Sequence, residues 1–213
     1  MEYIVICDFD GTITIEDTVN SMADKFAGDR WRDLDEMWMS GKYNASEISQ
    51  KILDMMNTNE IELKEFVRGI DIDPKFKEFI DYIREKCIEF YIISDGFDFN
   101  IENILEKNDI EGLMSFSNIL QFEGSKLLGV YPNSNEDCKK CGNCKSNLIN
   151  DINLDNKKVI YIGDGHSDKC ASKKADYIFA KKSLADYLRD SEIEFVEFED
   201  FSDVLSGVKS IIS

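Results

Sequence analysis

The apolar positions of the chain follow two rhythms, and the boundary between them sets its organisation. Tyr3-Ile-Val-Ile-Cys7 is an unbroken β-prone run that stops at Asp8-Phe9-Asp10-Gly11-Thr12. It predicts a buried strand whose C-terminal end carries two carboxylates and a tight turn. From Glu16 to about Gly69 the apolar residues recur at helical spacing (Met22, Phe26; Ile48, Ile52, Met55, Met56; Leu63, Phe66, Val67). Turn-like breaks fall near Gly28-Asp29, Gly41-Lys42 and Asn57-Thr58-Asn59. This predicts three or four helices with no strand among them, and places Trp31, Trp38 and the methionines in the interior of that bundle.

Asp73-Pro74 closes the helical segment. Phe76, Phe79, Ile80 and Ile83 then give one amphipathic helix ahead of a strand, Phe90-Tyr-Ile-Ile93, expected to stop at Ser94-Asp95-Gly96-Phe97. Helical spacing resumes through Phe97, Ile101, Ile104 and Leu105, which puts Ser94 at a strand-to-helix turn, as an anion contact or simply as a turn hydroxyl. The stretch from Ser117 to Tyr131 reads as a hairpin about Glu123-Gly124-Ser125-Lys126, appended to the main sheet. A helix over 146–152 and the strand Val159-Ile-Tyr-Ile162 follow, the latter ending in Gly163-Asp164-Gly165-His166-Ser167-Asp168. Short strands at 177–179 and 195–198 and helices around 184–188 and near the C-terminus complete the series. Strands alternating with helices indicate an α/β fold with a parallel sheet covered on both faces.

At 213 residues the chain accommodates one sizeable core with a small inserted unit. Its net charge of −18 opposes contact with a nucleic-acid backbone or an anionic lipid surface, and neither is an expected partner. No apolar run is long enough to span a bilayer, and the N-terminus enters a strand without a charged leader, so a cytoplasmic location is expected. The six cysteines are scattered rather than set out as the framework of a small secreted scaffold, which agrees with a reducing compartment.

Three strand ends offer matching chemistry: Asp8 with Asp10, Ser94, and Asp164 with Asp168. In an open parallel sheet ligands collect outside the carboxyl ends of the strands, so these groups converge if their strands are neighbours. Side chains two apart on a strand share a face, and two carboxylates side by side repel unless a cation separates them. Hard oxygen donors of this kind suit Mg²⁺. An ionised carboxylate such as Asp8 is a ready nucleophile, and Asp10 beside it is placed to give a proton and later to take one from water.

The set Asp8-Phe9-Asp10-Gly11-Thr12, Ser94, Lys145, and Gly163-Asp164 with Asp168 resembles the haloacid dehalogenase superfamily over nearly the whole chain. The resemblance implies a Rossmann-like catalytic core from residues 1–14 and 74–213 and a small helical cap from 15–73, as in the phosphoserine-phosphatase-like branch. It implies Asp8 as nucleophile and Asp10 as general acid and base. It assigns phosphate binding to Ser94 and Lys145 with Gly11, Thr12 and Gly96, and Mg²⁺ to Asp8, Asp164 and the backbone carbonyl of Asp10, oriented by Asp168. Ser94-Asp95-Gly96-Phe97-Asp98-Phe99, Cys141-Gly142-Asn143-Cys144-Lys145 and the 163–168 segment are similar to the subgroup containing the methionine-salvage enol-phosphate phosphatase. Phosphocholine and phosphoethanolamine phosphatases are a related branch. Phosphoserine phosphatases more usually carry Gly where this chain has Asp95. A small phosphoester is the expected substrate. A phosphotransferase and a non-catalytic, metal-sensing binding protein are the rival classes.

Cys138, Cys141 and Cys144 have a spacing suited to a structural Zn²⁺ but are one thiolate short of a closed site, with His166 a candidate fourth ligand. Reduced thiols or a disulfide are the alternatives. His166 is otherwise expected in a loop beside the site, and Asp17 is read as a helix-start carboxylate or a contact to the leaving group.

Overall fold

The computed structural model describes residues 3–39, 43–124, 126–135 and 141–212. Strand β1 (Tyr3–Cys7) is followed by four helices, α1 (Thr18–Phe26), α2 (Trp31–Met39), α3 (Ala45–Met55) and α4 (Glu60–Val67). Then come α5 (Phe76–Glu85), β2 (Glu89–Phe97), α6 (Asp98–Lys107), β3 (Met114–Glu123) and β4 (Lys126–Val130). The chain continues with α7 (Lys145–Ile152), β5 (Lys158–Gly163), β6 (Tyr177–Ala180), α8 (Lys182–Asp190), β7 (Val196–Glu197) and α9 (Phe201–Ile212). The strands form one sheet in the order β4-β3-β2-β1-β5-β6-β7, parallel throughout except for β4, which runs antiparallel to β3. The sheet winds outward from β1 in both directions, so the switch in strand order falls at the end of β1 that carries Asp8.

Strand period explains the two-sided burial. Val5 and Cys7 of β1 and Ile160 and Ile162 of β5 pack under α5, α6 and α9, whereas Ile4, Ile6, Val159 and Tyr161 pack under α7 and α8. The first of these layers is rich in rings, with Phe76 and Phe79 of α5 lying 5.0 and 5.2 Å from Phe201 of α9 between ring centroids. It also runs on into the inserted helices through Met22, Ile52 and Leu63. The segments leading into and out of the insert lie side by side: Thr14 bridges Ile72, Ile15 N–H donates to the Asp71 carbonyl and Asp73 N–H to that of Ile13.

Four expectations need correction. Strand β2 does not stop before Ser94 but continues to Phe97, with a register shift against β3 between Ile93 and Phe97. Ser94 therefore lies within the strand, four residues before α6. Strand β3 begins at Met114 rather than 117, because its first residues pair with β2 while their side chains stay largely exposed, which erases the apolar signal. The terminal strand shrinks to Val196–Glu197, since only these two residues pair with β6. Met37 is 42 % exposed rather than interior, although Trp31, Met22 and Met56 are buried as expected. The Trp38 side chain and the break at Gly41-Lys42 lie outside the described residues.

Asp73 anchors the return from the insert. It is 3 % exposed, and its two oxygens accept the N–H groups of Lys75 (2.8 Å) and Phe201 (3.1 Å), so it caps the start of α9 from 128 residues away. Replacing Asp73 with Ala orphans the buried Phe201 N–H and should lower the unfolding free energy by about 1–2 kcal/mol in urea titrations.

Candidate active site

The ends of β1, β2 and β5 bring the expected groups together. Asp8 is 4 % exposed and Lys145 2 %, and the Lys145 ammonium lies 2.6 Å from Asp8 Oδ1 and 2.7 Å from Asp168 Oδ1. Asp168 is saturated: Oδ1 also accepts the Tyr161 hydroxyl at 2.5 Å, and Oδ2 accepts the N–H groups of Asp164 (3.0 Å) and Gly165 (2.9 Å). Asp164 accepts from Thr12 Oγ1 at 3.1 Å and pairs with Lys182 Nζ at 3.0 Å. Burial opposes the charge of Lys145, but Asp168 and Asp8 outweigh it and hold the ammonium above its ordinary pKa. Burial pulls Asp168 up as well, yet Lys145 and its other donors bring it below the usual carboxylate range.

Asp8, Asp164 and Asp168 each place one oxygen within 4.8 Å of the others, and they are the only such group among the described residues. Burial and the Asp168 charge push both Asp8 and Asp164 up, against the pull of Lys145 and Lys182 respectively. Such a cluster is short of positive charge, and its hard oxygen donors suit a divalent cation of the Mg²⁺ type. The ready ionisation expected of Asp8 is therefore conditional on the cations around it. The Asp10 carboxylate is not part of this group. Its Oδ2 accepts the Ser94 hydroxyl at 2.8 Å, and its Oδ1 accepts the N–H (3.1 Å) and hydroxyl of Thr18, the first residue of α1.

Two glycines make this approach sterically feasible. At Gly96 a Cβ would fall 2.2 Å from Asp10 Oδ2, and at Gly11, where φ is +72°, 2.4 Å from Asp164 Oδ2. The other phosphate-binding assignments meet groups already engaged. Gly11 N–H is donated to Thr14 Oγ1 and the Glu16 carbonyl, Gly96 N–H to Ser94 Oγ, and Thr12 is fully buried against Asp164. Ser94, also fully buried, supports Asp10 from below.

Above these groups opens a cleft of about 260 Å³ between the sheet and the insert. Asp8, Asp10 and Asp164 lie at its base, Asp95, Asp17 and His166 along its sides. Asp17 caps α1 through the Asn20 N–H at 2.8 Å, and the His166 Nδ1 lies 3.1 Å from Lys169 Nζ. Of the three clustered cysteines, Cys138 lies outside the described residues; Cys144 Sγ accepts from Asn135 Nδ2 at 3.8 Å.

Residues 3–193 match the family described as Putative Phosphatase. The chain belongs to that family. A relative from Brevibacillus brevis, named 2-hydroxy-3-keto-5-methylthiopentenyl-1-phosphate phosphatase, is 34 % identical over 98 % of this chain and 96 % of its own length. One of the same name from Bacillus mycoides is 33 % identical over 100 % and 98 %. Among solved structures, a phospho-aspartyl intermediate analogue of phosphoserine phosphatase aligns with a TM-score of 0.71 at 19 % identity, over 96 % of this chain and 98 % of its own. A substrate-bound phosphoserine phosphatase aligns at 0.75 and 20 %, over 97 % and 98 %. At that identity the likeness is one of fold, and it bears out the Rossmann-like α/β class read from the motifs.

Several members of this family site escaped the sequence reading. Tyr161 stood in the sequence only as a member of an apolar strand, with no role of its own. Asn143 stood only within the Cys141-to-Lys145 run that carries the resemblance, with no role of its own, yet it is fully buried. Its side chain donates to the carbonyls of Ser94 (2.7 Å) and Phe116 (2.8 Å) and its N–H to Asp95 Oδ1 (2.8 Å), stitching the loop before Lys145 to β2 and β3. Burial pushes the Asp95 carboxyl up to about 6 against the Asn143 N–H, Lys145 and Asn118. A carboxyl raised in the folded state loses stability as pH climbs from the unfolded value of 3.8 to about 6. Asp95→Asn should thus raise the unfolding free energy at pH 7.5, by at most about 3 kcal/mol, with the gain fading toward pH 4 in denaturant titrations.

Proposed function

We propose that the protein is a Mg²⁺-dependent phosphomonoester hydrolase of a small cytoplasmic metabolite, working through a phosphorylated Asp8. The observation that carries this reading is the buried Lys145 ammonium held against Asp168 and against Asp8, which lines an open cleft. Phe9 N–H and Lys145 both bind Oδ1 of Asp8, which leaves Oδ2 as the attacking atom. Bond formation from that oxygen to phosphorus breaks the bond to the leaving oxygen, and the Asp10 carboxyl delivers a proton to it. Asp10, steadied by Ser94 and Thr18, then accepts a proton from the water that attacks the acyl phosphate, freeing inorganic phosphate and Asp8. Asp8 and Asp164 would hold Mg²⁺ with Asp168 and Lys145 behind them, and the bound ion supplies positive charge to the phosphoryl oxygens.

The favoured substrate is the methionine-salvage enol phosphate. Two relatives with nearly full-length coverage carry that name. The cleft lining agrees: among the described residues it includes no Lys or Arg, and Val19, Ala45, Ile48 and Ile52 supply apolar surface. The carboxylate of phosphoserine would meet Asp17 and Asp95 there without a counter-ion. Expulsion of an enol needs only the proton from Asp10.

Phosphate release from a panel of the enol phosphate, phosphoserine, phosphocholine and phosphoethanolamine, with and without Mg²⁺, tests the reading. Metal-dependent turnover greatest on the enol phosphate is expected. Asp8→Asn should lower kcat by about a thousandfold or more, and Lys145→Met by about a hundredfold or more. Transfer of phosphate to another metabolite in place of its release would move the assignment to a phosphotransferase.

A further inference from the structure

Beyond the catalytic floor, one contact fixes the far wall of the cleft. Strand β4 is an edge of the sheet, and its outward backbone groups would stand bare were it not for Gln50 of α3. The Gln50 side-chain amide substitutes for a neighbouring strand: Nε2 donates to the Leu127 carbonyl at 3.0 Å and Oε1 accepts the Gly129 N–H at 2.9 Å. A third bond, from Nε2 to Asp54 Oδ1 at 2.9 Å, fixes its rotamer. The same turn of α3 presents Ile48, Ser49 and Ile52 to the cleft.

The residue clasped by Gln50 also seats a second part of the lining. Tyr131, one residue beyond β4, lines the cleft, and its ring lies in a slot that exists because Gly129 and Gly142 have no side chains. A Cβ at Gly129 would stand 2.4 Å from the Tyr131 hydroxyl oxygen, and one at Gly142 would stand 2.8 Å from the ring. Gln50 therefore holds the insert to the hairpin at the point where Tyr131 is seated. Tyr131 itself lies close to Ser49 of α3, so the two hydrogen bonds of Gln50 hold α3 and Tyr131 together as one side of the cleft.

We propose that Gln50 and Gly129 are positioning residues that set the shape of the leaving-group side of the cleft, lined by Tyr131 and α3, and so determine which phosphoesters are accepted. The assignment rests on the phosphatase reading. It commits to an extended, uncharged leaving group packed against the apolar face of α3 and the Tyr131 ring. Short leaving groups react at the floor without touching either.

The test compares wild type with Gln50→Ala and Gly129→Ala on two substrates, the methylthio enol phosphate and the three-carbon dihydroxyacetone phosphate. Both variants should lose about tenfold in kcat/KM on the long substrate, mainly through KM, and less than about twofold on the short one. Hydrogen exchange should show faster exchange of the Gly129 amide in Gln50→Ala, with the β1 and β5 amides unchanged. Equal losses on both substrates, or an unaltered Gly129 amide in Gln50→Ala, would overturn the proposal while leaving the phosphatase reading intact. If Gly129→Ala does not fold, Gln50→Ala decides the matter by itself. Wild-type protein that releases phosphate from neither compound overturns the phosphatase reading, and the assignment of specificity falls with it.

Discussion

Withdrawing an ammonium and two carboxylates from water is the constraint around which this molecule is built. Lys145 and Asp168 are nearly or wholly inaccessible and Asp8 is almost so, and a buried ion pair of this kind contributes little net stability, because desolvation consumes most of the Coulombic gain. Its value is geometric. With one ammonium between them, Asp8 and Asp168 have a defined separation and orientation, and Asp168 spends its remaining lone pairs on Tyr161 and the backbone of the Asp164 loop. Loss of either charge would leave the other buried and unpaired, so the whole floor of the site stands or falls together.

The supporting structure follows from that requirement. Lys145 begins a helix whose cap residue, Cys144, makes no side-chain cap bond, so its position depends on the loop before it. Asn143 ties that loop to the ends of β2 and β3, which are already fixed by the sheet. Gly11 and Gly96 then let Asp164 and Asp10 approach the backbone more closely than any side chain would allow. Charge placement comes from the sheet and clearance comes from the glycines.

The insert is coupled to the chemistry through Asp10. Thr18, the first residue of α1, donates both its N–H and its hydroxyl to Asp10, and Asn100 of α6 donates in turn to the Thr18 hydroxyl at 2.7 Å. The group proposed to handle protons is thus held jointly by the sheet, through Ser94, and by the insert, through Thr18. Any displacement of the insert alters the hydrogen bonds on Asp10. No described helix is long and apolar enough to cross a membrane.

What the chain determined by itself is everything that depends on local pattern. The 2-residue and 3.6-residue rhythms announced the central strands and most of the helices, and the Asp8-to-Thr12 and Gly163-to-Asp168 segments announced carboxylates at strand ends, because turn chemistry and apolar burial act over a few residues. Lys145 was legible only through its resemblance to a family. The continuation of β2 past Ser94, the short β7 and the start of β3 were hidden because pairing partners far along the chain decide where a strand ends. Tertiary structure alone decided that Ser94 serves Asp10, that Thr12 serves Asp164, that Asn143 ties its loop to the sheet, and that Tyr161 and Gln50 bear on the site at all. Hydrogen bonds and charge pairs between residues from seven to more than a hundred positions apart carry no periodicity, and they come into being only when the fold brings their partners within about 3 Å.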